Sequence, residues 1–207
     1  MAVSIKRLVG LSMLAMFAGQ SPAFAHHVMG GKLPETFVQG LLSGLGHPVI
    51  GLDHLGAIVG VGILAAIAGR SVGLVLVFSV ALMAGVGLHL AKVDIPVSEL
   101  LVGLSTLAIG ALVIVRRSIG SATAAALFAI AGLLHGYALG ESIVGAEASP
   151  LVAYLLGLLV IQTLIGVAAY ALAGRVGAWR PVGLTVAGLL VVLLGGVSAA
   201  MAASALV

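Results

Sequence analysis

Inside a long apolar stretch the chain carries the run His47-Pro48-Val49-Ile50-Gly51-Leu52-Asp53-His54, and a later apolar stretch carries His135 and Glu141. Imidazoles and carboxylates gathered in this way can bind a divalent transition-metal ion, or hold zinc while an acid activates water. The set suits Ni(II), Co(II) or Zn(II) better than Cu(I), and a chain without cysteine has no thiolate to add. His47 and His54 share nearly one face if a helix runs on between them. Asp53, about 100° around from His54, is placed to ligate or to accept an imidazole N–H. His89 and the consecutive pair His26 and His27 are further candidate metal ligands. His89 also reads as an interface residue, and the pair as neighbours of a cleavage site. Met83 reads as core packing, and Gln162 and Tyr137 are isolated polar residues without an assigned role.

The elements that must position these groups follow from composition. Hydrophobic residues make up 62% of the chain and charged ones 7%, with a mean hydropathy of +1.33. No water-soluble domain hides so much apolar surface. The 30 glycines, against 4% aromatics, fit helices that pack closely in lipid through small side chains. The fold class expected is therefore all-α, a polytopic membrane helix bundle. A net charge of +3 is scattered at the ends of apolar runs, which leaves nucleic acid without support as a partner.

Residues 1–25 read as a cleavable signal peptide: Lys6 and Arg7, then the apolar run from Leu8 to Phe17, then Ala23-Phe24-Ala25. The rest, 26–207, reads as a single transmembrane domain with six spans near 37–69, 71–91, 98–115, 121–143, 150–173 and 182–205. A continuous helix over 37–69 would reach roughly 50 Å against a hydrocarbon core of about 30 Å. The first segment must therefore break, and Gly46-His47-Pro48 is the expected place. Loops holding Arg70, Arg116, Arg117, Arg175 and Arg180 alternate with loops whose basic residue is Lys92. The positive-inside rule then puts both mature termini on the outer, periplasmic side of a bacterial cytoplasmic (inner) membrane.

In that topology all six histidines fall toward the outer face. An ionisable side chain at mid-membrane costs about 2.5–3.5 kcal/mol on insertion scales, so His47, Asp53, His54, His135 and Glu141 are functional candidates before they are structural ones. Gly132, Gly136 and Gly140 form one small-residue stripe, and Gly56 and Gly60 another. Spans one and four are expected to pack through them.

The H-P-x-x-G-x-D-H run, with the later Leu134-His135-Gly136-Tyr137-Ala138-Leu139-Gly140-Glu141 segment, resembles the HupE/UreJ family of nickel and cobalt permeases. Five residues between His47 and Asp53 favour this family over a related nickel/cobalt transporter family with four. The resemblance spans the chain from signal peptide through six spans. It implies uptake of Ni(II) or Co(II) as transported substrate, with no permanently bound cofactor. Many members have a methionine shortly after the D-H pair, where this chain has Gly56, Ala57 and Ile58. The expected partners are the divalent metal ion and the lipid bilayer, and a homo-oligomer is compatible. The chain carries no P-loop, so its own ATP hydrolysis is not expected to drive it. Two other readings stand beside transport: an intramembrane zinc-dependent hydrolase, which lacks an H-E-x-x-H run, and a metal-binding subunit of a larger membrane complex.

Overall fold

A computed structural model describes residues 32–69, 71–116, 119–175 and 180–206. The expected signal peptide, with His26 and His27, lies outside the described residues. Among the described residues seven α-helices follow one another: α1 Phe37–Ile50, α2 Leu52–Ile67, α3 Gly73–Leu90, α4 Ser98–Val115, α5 Ser121–Gly140, α6 Ala148–Arg175 and α7 Arg180–Ser204. A 3₁₀ turn, Glu141–Ile143, extends α5. Among the described residues five helices are long and apolar enough to cross a membrane, and α1 with α2 makes a sixth crossing if the bent pair is one span.

The broken segment starts at a capping box. Thr36 Oγ1 accepts the Gln39 N–H at 3.2 Å, and Gln39 Oε1 accepts the Thr36 N–H at 3.3 Å. The helix does not stop at Gly46-His47-Pro48, as the sequence leads one to expect. It carries Pro48 in its last turn and ends at Gly51, where ψ swings to 95° and α2 departs at 77°. Proline removes a single donor, and the turns before it are held helical by packing. A methyl group on Gly40 would overlap the Pro150 carbonyl, and one on Gly44 the Tyr154 carbonyl, both on α6.

Similar close approaches give the direction of every neighbour. The α1–α2 segment and α6 run the same way, since Gly40, Gly44 and Gly62 meet Pro150, Tyr154 and Gly166 in that order. Helices α3 and α5 are also parallel, with Gly132, Gly136 and Gly140 against Phe78, Leu82 and His89. Helices α4 and α7 are antiparallel, with Gly103 against Ala199 and Gly188 against Ile114. The stripe on α5 therefore serves α3 and not span one. Gly56 and Gly60 face Thr106 and Ile109 of α4 and Leu194 and Val191 of α7. Small residues set which backbones touch, but the partners they choose are not legible from their spacing.

Helix α2 lies in the middle of the bundle. Ala57, Val61 and Leu64 are wholly enclosed, and Val80, Ile130, Leu164 and Leu172 on surrounding helices point outward. That arrangement puts apolar side chains where lipid solvates them and leaves the start of α2 as the most sheltered place for polar groups.

Candidate metal centre

The turn at Gly51 leaves the first N–H groups of α2 without helical partners, and Asp53 answers one of them. Its Oδ1 accepts the His54 N–H at 2.8 Å, and its Oδ2 accepts the Ser198 hydroxyl of α7 at 2.7 Å. A carboxylate at a helix N-terminus is favoured by the exposed N–H groups and the helix dipole, which helps to keep this buried anion.

His54 and His135 meet across α2 and α5 with their Nδ1 atoms 2.7 Å apart and their ring centroids at 4.9 Å. Both are enclosed, at 3% and 0% exposure. On the far edge of the His135 ring, Nε2 lies 3.1 Å from Ser105 Oγ and 3.3 Å from Thr106 Oγ1. Those hydroxyls direct their own protons to the Val102 carbonyl, at 2.9 Å and 3.0 Å. One of the two facing Nδ1 atoms carries the proton and the other accepts it. Two nitrogens sharing one ion at about 2.0–2.1 Å each would stand about 2.9–3.4 Å apart. A small opening of this pair, with the shared proton moved off Nδ1, turns a hydrogen bond into a two-nitrogen metal clamp.

A second group adjoins the first. His47 presents its ring edge-on to His54, centroids 6.3 Å apart. Its Nδ1 lies 3.1 Å from Ser142 Oγ and 3.2 Å from the Tyr154 hydroxyl. Tyr154 gives its proton to the Leu139 carbonyl at 2.7 Å. His47 is held by α6 and by the turn after α5, and its orientation is fixed through Nδ1, as for metal-binding imidazoles generally. His47 and His54 meet because the chain bends at Gly51, rather than by sharing one face of a continuous helix.

His47, Asp53, His54 and His135 are thus brought to one buried layer. Glu141 is not: it is exposed at the head of the 3₁₀ turn, and Ser142 is the residue that enters the layer. With three residues per turn, successive side chains diverge by about 120°, and Ser142 and Ile143 take the two inward directions. His89 sits at the end of α3 with its ring 4.6 Å from that of Tyr137, and its buried Nδ1 has no hydrogen-bond partner. Tyr137 in turn ties down the α3–α4 loop, donating to the Val93 carbonyl at 2.9 Å and accepting the Ile95 N–H at 3.1 Å. Ser105, Thr106, Ser142, Tyr154 and Ser198 were not singled out by sequence. Among the described residues, no three His, Asp or Glu side chains are arranged to close on an ion as they stand. The layer offers an imidazole pair that is supported by hydroxyls, with a third imidazole and a carboxylate beside it.

The family model described as HupE / UreJ protein matches residues 14–198. Protein HupE of Rhizobium leguminosarum bv. viciae is 35% identical over 121 residues, 58% of this chain, and the matched region spans 61% of that relative's length. No solved structure matches.

Proposed function

Because this chain belongs to the HupE/UreJ family, a family of metal transporters and not of enzymes, we propose that it carries Ni(II) or Co(II) inward across a bacterial cytoplasmic membrane. The observation that supports this reading best is the approach of His54 and His135 Nδ1 to 2.7 Å within the buried layer. An imidazole pair with a carboxylate beside it suits these borderline ions. A set that is not closed into a full coordination sphere suits a site that must also release them. In this reading the layer opens toward the outer side, where both termini of the mature chain lie. His47 and Asp53 complete the ligand set as the ion sheds water.

Uptake of radioactive Ni(II) and Co(II) by the purified chain in liposomes tests the reading. Accumulation without any other protein is expected. Tight binding without accumulation would instead make the chain a metal-binding subunit of a larger complex. A competition series with Zn(II) orders the three ions.

A further inference from the structure

Outside the layer just described, the buried polar side chains among the described residues are Ser43, Ser79 and Gln162, and two of these touch. Gln162 of α6 is wholly enclosed. Its Nε2 reaches the Ser79 carbonyl of α3 at 3.5 Å, and the neighbouring Thr163 hydroxyl donates to Ser79 Oγ at 3.1 Å. Gln162 Oε1 has no hydrogen-bond partner. Turning the amide over would set its oxygen against the Ser79 carbonyl and leave the NH₂ group unpartnered instead. A buried, unsatisfied amide oxygen is costly where leucine of similar size would fill the space, so its presence calls for a ligand and not for packing.

Its place in the fold says which ligand. Gln162 lies two helical turns beyond Tyr154 on α6, about 12 Å along the direction that α6 shares with α1 and α2. Ile58, one turn after His54, and Gly62, two turns after it, both approach Gly166, one turn after Gln162, so the amide stands beside α2 within about a turn of His54. Ser79 follows Phe78, whose ring is 6.0 Å from that of His135. The amide group therefore adjoins the imidazole layer on the side away from His47 and Tyr154.

We propose that Gln162 Oε1 is a second cation station, a neutral oxygen that takes the divalent metal ion from the imidazoles before release. Neutral oxygens hold Ni(II) and Co(II) less firmly than imidazole does, and a weaker site next to a stronger one lets an ion move on. This rests on the transport reading above.

The test compares wild type, Gln162→Leu and Gln162→Glu in proteoliposome uptake of Ni(II) and Co(II), together with metal titration and thermal unfolding of each protein in detergent. A wild type that takes up no metal overturns the transport reading and this station with it. Given wild-type uptake, Q162L is expected to lower it by at least about tenfold, the smaller end of what losing a supporting group costs metal sites. It should leave the first bound metal ion and the unfolding temperature unimpaired, since leucine removes an unsatisfied oxygen. Q162E keeps an oxygen at the same reach and should retain uptake and add a second bound ion. Q162L transporting at the wild-type rate, or losing uptake and stability together, overturns the station alone. Gln162→Met gives the same reading should the leucine protein not be recovered.

Discussion

A single proton between His54 and His135 governs what the layer can do. Their Nδ1 atoms stand 2.7 Å apart and can share only one proton between them. A metal ion can replace it only while both rings are neutral. Uptake into proteoliposomes should therefore fall as the outer pH is lowered, and recover when pH is raised. His54→Ala and His135→Ala should each lower uptake by at least about tenfold, whereas Glu141→Ala, at an exposed turn, should leave it near wild type. A Glu141→Ala protein without transport would return that carboxylate to the pathway. Ser198→Ala tests the support of Asp53: with Oδ2 released, the apparent affinity for metal should weaken by about tenfold, read from the concentration dependence of uptake.

The four ionisable members of the layer stood out in the sequence because a His or Asp in an apolar helix is too costly to be casual. Their supports did not. Ser105 and Thr106 return a hydrogen bond to the carbonyl of Val102 one turn back, a habit that makes such hydroxyls unremarkable in any membrane helix. Tyr154 and Ser142 are far from His47 in sequence, and only the bend at Gly51 and the turn after α5 bring them to it. Glu141 was drawn in by its depth along the span, a measure that ignores direction around the helix.

At the scale of elements, the close parallel contact of α3 and α5 decides where His135 stands. Two glycines on α3 give a direct comparison. A methyl at Gly85 would overlap the Leu133 carbonyl, while one at Gly87 meets nothing. Gly85→Ala should destabilise the protein by about 1–3 kcal/mol through overpacking, measured as thermal unfolding in detergent. Gly87→Ala should be neutral or slightly stabilising, since alanine is the better helix former. Equal effects at the two positions would contradict the α3–α5 packing. The helices themselves follow from apolar length, whereas the pairing does not. Glycine stripes promise close contact with some helix, and the stripe on α5 serves α3, while the first span meets α5 through two imidazoles.

For the whole molecule, the chain contains no cysteine, so single cysteines can report each loop. Lys92→Cys and Glu147→Cys, exposed in the loops after α3 and after the 3₁₀ turn, should react with a charged, impermeant thiol reagent from one side of sealed vesicles. Ser71→Cys, exposed between α2 and α3, should react from the other. Lys92 and Ser71 labelled from the same side would mean that α3 does not cross the membrane.

The sequence by itself determined that this is a bundle of membrane helices with a buried imidazole and carboxylate layer near one end. Hydropathy acts locally, and the cost of burying charge is felt residue by residue. Tertiary structure decided that the first segment turns at Gly51, that Ser142 enters the layer in place of Glu141, and that hydroxyls from α4, α6 and α7 hold its members. Those outcomes depend on which backbones can touch and on where each hydroxyl sends its proton, and both are settled between helices distant in sequence.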